Sequence, residues 1–240
     1  MSLPEVVSRG QWLDARVSLL AQEKELTRHQ TAVNTARRQL PMVRIDKKYT
    51  FEGPRGTVEL ADLFGGKRQL LLQHVMFGPD WEQPCPGCSA GIDATAPALI
   101  EQLRSRETDF VLVSRAPYAK LAKTALERGW FLPWYSSFGT DFNHDFNVTL
   151  DKAADQVVYN YRPEPQLLHD TDSTEMPGVS SFLRDGEDIF HTYSTYARGT
   201  EFLGSAYSLL DLTALGRQES WEEPKDRTAA ERGGDPTFTS

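Results

Sequence analysis

Residues 69–91 read QLLLQHVMFGPDWEQPCPGCSAG, and this stretch decides the fold. Gln69–Met76 is a nearly continuous apolar run of strand length, the pattern of a strand buried on both faces. It leads directly to Cys85 and Cys88, the only two cysteines among 240 residues. Beyond them Ile92, Ala96, Leu99, Ile100 and Leu103 recur as one face of a helix, so the pair is expected at a strand-to-helix junction. The unpaired N–H groups of a first helical turn favour an anion, here a thiolate. Lowering a thiol pKa from about 8.5 to about 7 raises its thiolate fraction at pH 7 from roughly 3% to roughly half. Cys85 is therefore read as the attacking thiolate and Cys88, one turn on, as the thiol that resolves a mixed disulfide.

The flanking sequence supports an alternating α/β arrangement. Asp109–Ser114 (DFVLVS) is a second buried strand, Pro117 can open a helix carrying Tyr118, Leu121, Ala122 and Ala125, and Gly129 can close it. Strand, helix, strand, helix implies a parallel pair with a right-handed crossover. Short strands are expected around Met42–Ile45, Tyr49–Phe51 and Val58–Leu60, about a turn at Gly53–Gly56. Val179–Arg184 and Ile189–Tyr193, joined through Asp185-Gly186, form the strongest hairpin signal in the chain. Residues 130–175 read as loop-rich and aromatic, with a short strand at Val157–Tyr161. A last helix is expected from Glu201 to about Leu215, followed by a charged tail.

Ahead of this, Ser8 and Gln11 form a capping box, and Trp12, Leu19, Leu26, Val33 and Leu40 recur every seven residues up to Pro41. Ala15, Gln22, His29 and Ala36 make the second seam mostly polar. The pattern favours a long amphipathic helix lying on the domain or on a twin subunit over a free coiled coil. The expected organisation is an N-terminal helix over 1–41, one α/β domain over 42–218 and a flexible tail over 219–240, with a homodimer through the first helix as its oligomeric counterpart.

A formal charge of −8 argues against a nucleic-acid or anionic-membrane surface, which needs clustered Lys and Arg. The run Arg37, Arg38, Arg44, Lys47 and Lys48 reads as a solvated flank. No apolar stretch approaches the roughly 20 residues that span a bilayer, and the N-terminus lacks a secretory plan, so the reading is cytoplasmic. Two cysteines cannot staple a secreted scaffold of this length. Besides redox chemistry they admit two blander readings, inert buried thiols or half of a copper or zinc site. A metal needs about four ligands, and His74, His144, His169 and His191 are the imidazoles that could join them, without finger-like spacing. Asp141, Asn143, His144 and Asp145 could hold a hard cation or simply form Asx turns. The aromatic stretch 130–146 could instead be the docking surface of a non-catalytic binding module.

The sequence resembles the thioredoxin-like superfamily, and more closely a bacterial group described as predicted dithiol–disulfide oxidoreductases. The marks are ARRQLP (36–41), YTFEGPRG (49–56), LADLFGGKRQLLLQHVMFGPDWE (60–82), CPGCS (85–89), VSRAPYAKL (113–121), GWFLPWYSSFGTDFNHDF (129–146) and FHTYSTYARG (190–199). The resemblance implies a mixed central sheet with helices on both faces, a dithiol active site and no bound cofactor. A protein or small-molecule disulfide or thiol would be the substrate. It also implies a cis-proline beside the cysteines, for which Pro177 in Met176-Pro177-Gly178 stands at about the right place, where an ordinary trans turn proline fits equally well. Pro177 and Gly178 are candidate substrate-binding residues, and so is Trp81, which reads either as a docking surface or as a half-buried loop residue. Thioredoxins carry a buried acid before the motif, and Asp80 or Glu82 are the nearest counterparts. Peroxiredoxins place Thr or Ser three residues before the reactive cysteine and Pro four before that; here those positions hold Glu82 and Gly78. His191, Tyr193 and Tyr196 read as a packed aromatic edge or a pocket wall. Arg115 is expected near the C-terminal edge of the sheet, where α/β active sites gather.

Overall fold

The computed structural model describes residues 4–203 and 209–214. The described residues fall into two compact units, one holding 4–41 and 209–214 and the other 42–203. The first contains helix α1, Arg9–Arg38. Its capping box forms as expected. The Ser8 hydroxyl accepts the Gln11 N–H at 3.3 Å, and the Gln11 side chain accepts the Ser8 N–H at 3.1 Å. Arg37 and Arg38 stand in its last turn, where they complement the helix dipole.

In the second unit the first strands are β1 (Val43–Arg44), β2 (Thr50–Gly53), β3 (Gly56–Glu59) and β4 (Gln69–His74). Helices α2 (Pro86–Asp93) and α3 (Pro97–Arg104) precede β5 (Thr108–Ser114), and α4 (Tyr118–Arg128) precedes β6 (Trp134–Ser136). A one-turn helix α5 (Phe142–Asp145) and short strands β7 (Thr149–Asp151), β8 (Val158–Tyr159), β9 (Arg162–Pro163) and β10 (Ser173–Glu175) follow. Then come the long strands β11 (Gly178–Asp185) and β12 (Asp188–Tyr196). Eight of these strands make one sheet in the order β1-β12-β11-β4-β5-β6-β2-β3. At its centre β4 and β5 are parallel, while β11 runs antiparallel to both β4 and β12. The centre of the sheet is therefore mixed, as expected.

Two expectations need correcting. The single helix expected beyond Cys88 is two, because Pro97 has no N–H to donate and holds Ala96 extended at ψ 145°. Leu99, expected on the buried face, is consequently exposed. Residues 130–175 are also less loop-like than they read, since Trp134–Ser136 joins the main sheet parallel to β5. Trp134 Nε1 donates to Ser114 Oγ at 3.0 Å and Ser136 Oγ to the Ala116 carbonyl at 2.6 Å, contacts that fix a strand too short to announce itself. The hairpin holds its expected turn, with Gly186 at φ +62° directly after Asp185. Of the helix expected from Glu201, residues 201–203 belong to a 3-10 segment, Ala197–Leu203, and 209–214 form a short helical turn and bends; 204–208 and the tail 219–240 lie outside the described residues. No described helix is long and apolar enough to cross a membrane.

The sheet separates two environments. On one face α2, α3 and α4 bury Cys88, Ile92, Ile100 and Leu121 against Val75, Phe77, Phe110, Leu112 and Trp134. On the other, Phe142 of α5 and Phe146 stack on His74, and Phe146 and Phe182 pack on His191. There a polar chain crosses three strands: His74 Nε2 to Ser180 Oγ at 2.8 Å, Ser180 Oγ to Ser194 Oγ at 2.8 Å, and Ser194 Oγ to His191 Nε2 at 2.7 Å. Three bonds need three protons, and two hydroxyls supply two, so one imidazole must donate the third. His74 Nδ1 has no partner, and an unmet acceptor is the milder defect there. We therefore assign the proton to His74 Nε2, with His191 Nε2 accepting.

Burial and the neighbouring His191 hold the His74 pKa down at about 3. Its folded pKa lies below the unfolded value near 6.5, so the unfolded chain binds the extra proton and stability falls as pH drops from about 6.5 towards 3. Wild type should thus lose about 2 kcal/mol more than His74→Phe between pH 7 and pH 5. Urea unfolding at the two pH values measures this, and equal losses would refute it.

Candidate active site

The strand-to-helix junction is where the two cysteines lie. The Cys85 N–H donates to the Met76 carbonyl at 2.9 Å, pinning the end of the loop to the exit of β4. Cys85 is the N-cap of α2, and Pro86 occupies the first helical position, where a missing N–H costs nothing. No full capping hydrogen bond closes on the sulfur. The free N–H groups of Gly87 and Cys88 nevertheless favour its thiolate, and the Cys88 thiol does so most of all by donating to it. Against the opposing effect of burial, these contributions lower the Cys85 pKa to about 6. The contributors are a thiol and two backbone dipoles, not a charged side chain. At pH 7 a thiol of that pKa is roughly nine-tenths ionised.

Cys88 takes the opposite part. Donation to Cys85 pushes its pKa well up, and burial and the Cys85 charge add to this. Both thiols are free, Cys85 half-buried and Cys88 buried. The pair is thus a reduced dithiol with one half-buried nucleophile and one sheltered proton donor.

Trp81 is half-buried and packs with Cys85 against the cluster under α2. A Cβ on Gly78 would stand 3.0 Å from its indole, so the glycine lets the ring fold back over the turn. Lys120 of α4, which the sequence did not single out, holds this loop. Its ammonium donates to the Pro79 carbonyl at 2.7 Å and to the Trp81 carbonyl, and lies 5.6 Å from the Phe77 ring centre. Asp80 and Glu82 are both exposed, so neither is a buried acid beneath the cysteines.

Pro177 and Gly178 sit where β11 begins, with Gly178 paired to His74 at the end of β4. A Cβ on Gly178 would meet the Tyr196 ring at 2.8 Å and Val148 at 3.2 Å, so only glycine allows this approach. The Pro177 carbonyl accepts the Tyr159 hydroxyl at 2.7 Å, and that oxygen accepts the Ala197 N–H at 2.9 Å. Tyr159 is buried, and burial first, then Tyr196 and Cys88 nearby, raise its pKa. It thereby ties the Pro177 turn to the end of β12 beside Cys88. Sequence reading placed Tyr159 in a short strand and gave no sign of this bridge.

The other candidates are distributed elsewhere. His191 belongs to the polar chain on the far face, and Tyr196 packs edge-on against Tyr159 and Tyr161, so these residues are a packed edge. Asp141 and Asp145 both accept from Lys47, at 2.9 and 2.6 Å, and Asn143 turns inward to Ser137 and Glu175. Among the described residues no three His, Cys, Asp or Glu side chains gather as a metal site. Within 130–146, Leu132, Trp134, Phe142 and Phe146 are buried, leaving Phe131 and Phe138 exposed. Of the aromatic residues that could have formed a docking surface there, Trp134, Phe142 and Phe146 are therefore core.

A family model described as "Bacterial protein of unknown function (DUF899)" matches residues 1–232. No curated protein matches the chain. Similar solved structures include peroxiredoxin Q from Xanthomonas campestris, at 12% identity and TM-score 0.45, covering 69% of this chain and 91% of that one. Peroxidoxin BcpB from Mycobacterium tuberculosis is 15% identical with TM-score 0.43, covering 71% and 97%. PrxQ from Xylella fastidiosa is 12% identical with TM-score 0.42, covering 67% and 88%. At such identities the chemistry of those proteins does not transfer to this chain.

The rate of Cys85 alkylation by iodoacetamide should rise with pH through a midpoint of about 6. Cys88→Ala removes the largest lowering contribution and should move that midpoint up towards the ordinary thiol value. Mass spectrometry of the modified peptide reads both, and an unmoved midpoint would show that Cys88 does not stabilise the thiolate.

Proposed function

The chain belongs to the DUF899 family, and we propose that it is a thiol–disulfide oxidoreductase whose working pair is Cys85 and Cys88. The observation that carries this reading is the split between the two thiols: Cys85 held at about pKa 6 at the N-terminus of α2, Cys88 held protonated behind it. The Cys85 thiolate attacks a substrate disulfide, forming a mixed disulfide and expelling one substrate thiolate. Cys88 then loses its proton to solvent and attacks the Cys85 sulfur, forming the Cys85–Cys88 disulfide and releasing the second substrate thiolate. Two electrons pass from the dithiol to the substrate, and an external thiol reductant restores the pair. The two sulfurs carry the electrons, so no bound cofactor is required. Trp81 and the Pro177–Gly178 turn are the surfaces we assign to the substrate. The reading assigns the protein to the cytoplasm, where thiol reductants maintain such a pair.

Redox titration in glutathione buffers, with free thiols counted by alkylation and mass spectrometry, tests the proposal. Wild type should show a reversible two-electron transition between dithiol and intramolecular disulfide. Cys88→Ser should instead accumulate a mixed disulfide at Cys85. If both thiols of the wild type stay reduced across the whole range, the pair is not a redox couple and the proposal fails.

A further inference from the structure

Behind the Pro177 turn lies a buried charge that the dithiol reading does not use. The Glu175 side chain is 3% exposed and its carboxylate has three donors. Arg115 Nε donates to Oε1 at 2.6 Å; Thr149 Oγ1 at 2.7 Å and Asn143 Nδ2 at 3.2 Å donate to Oε2. Asn143 is oriented in turn by the Ser137 hydroxyl, 2.8 Å from its Oδ1. A carboxylate this deep must be matched by a positive charge, and Arg115 supplies it.

Arg115 commits only its Nε. No hydrogen bond joins its two terminal amino groups to the described residues, and its side chain is 26% exposed. A guanidinium held through Nε keeps its two terminal amino groups as an end-on fork. That fork matches a carboxylate, which it can bind through two parallel bonds. Its backbone is equally fixed. Ser114 Oγ donates to the Val75 carbonyl at 2.7 Å and the Ala116 N–H to the Phe77 carbonyl at 2.8 Å. Arg115 therefore stands beside Met76, whose carbonyl holds the Cys85 N–H, while Glu175 precedes Pro177 by two residues. Arg115 is not among the groups that set the Cys85 pKa, so its fork suits a charge carried some bonds away from the reacting sulfur.

We propose that the outer edge of Arg115 is a carboxylate subsite for the disulfide substrate of Cys85, with Glu175 as its positioning residue. This rests on the thiol–disulfide reading and narrows it to disulfides whose halves carry a carboxylate away from sulfur, as peptide thiols do. The chemistry remains the exchange already written, and Arg115 neither gives nor takes a proton.

The test uses the full chain carrying Cys88→Ser, in which Cys85 alone reacts. Rates of mixed-disulfide formation are measured with glutathione disulfide, which carries carboxylates, and with 2-hydroxyethyl disulfide, which is neutral. Arg115→Gln should lower the ratio of the first rate to the second by about 10- to 100-fold, the range of a charge-assisted contact. Arg115→Lys should recover only part of it, because an ammonium lacks the fork. Since Arg115→Gln strands the Glu175 charge, the Arg115→Gln/Glu175→Gln pair is measured as well and should show the same lowered ratio. An unchanged ratio in the folded variants would overturn the subsite. If neither disulfide reacts with the parent, the dithiol reading fails by itself. The subsite is then judged by binding of S-methylglutathione, which cannot exchange: a Kd unaffected by Arg115→Gln overturns it, and a weakening of about tenfold or more supports it.

Discussion

The hydrogen bond from the Cys85 N–H to the Met76 carbonyl determines where α2 begins, and much of the site follows from that point. Moved one residue along, the first turn would present a different side chain to the free N–H groups of Gly87 and Cys88. The bond is secure because β4 is central in the sheet, parallel to β5 on one side and antiparallel to β11 on the other. The same strand exit is tied to β5 through Ser114 and Ala116. A thiolate stabilised by dipoles needs this stiffness, since the interaction with an N–H falls off within a turn of helix. The Lys120 anchor extends the constraint to the other end of the loop, so Trp81 and Cys85 are positioned from both sides.

The sheet also keeps two kinds of polar chemistry apart. Under α2 the surroundings of the thiols are apolar, and the Cys85 thiolate depends first on the Cys88 thiol and then on two backbone N–H dipoles. On the opposite face, hydroxyls and imidazoles form a saturated chain in which one Nε2 proton is shared between two histidines. Burial is what lowers the pKa of both His74 and His191, and the neighbouring His191 lowers that of His74 further. The chain links β4, β11 and β12 by side chains as well as by the ladder. It is therefore a constraint on the strands that carry the Met76 and Pro177 ends of the site, not a set of ligands for the cysteines.

What the sequence made legible was local. The apolar run of β4, the DFVLVS strand, the Pro117 and Gly129 helix boundaries and the Asp185-Gly186 turn each depend on a few neighbouring residues, and each stands where its pattern put it. Pro97 was also local, but the recurrence of Ile92, Ala96, Leu99 and Ile100 outweighed it in the reading, although a residue before proline is pushed out of the helical region. The groups that complete the site were illegible for a different reason. Lys120 meets Trp81 across 39 residues and Arg115 meets Glu175 across 60. A lysine in an amphipathic helix, or a glutamate before Met-Pro, carries no mark of such a partner. Asp80 and Glu82 misled through proximity in sequence: loop carboxylates close to a cysteine in the chain can face water in the fold.

In the proposed reaction, the difference between Cys85 and Cys88 also orders its steps. While Cys85 is a thiolate it accepts the Cys88 proton, and that bond and its charge are two of the three effects that keep Cys88 protonated. When Cys85 enters a mixed disulfide both effects vanish together. Burial still opposes ionisation, but backbone N–H contacts at Met76 and Cys88 then act on a sulfur no longer facing a negative neighbour. The resolving thiol becomes more acidic only after the first exchange has happened. Its target, the Cys85 sulfur, lies one helical turn away and already within reach of its proton. Ordering thus requires no moving part: the charge consumed in the first step is the one that had been restraining the second.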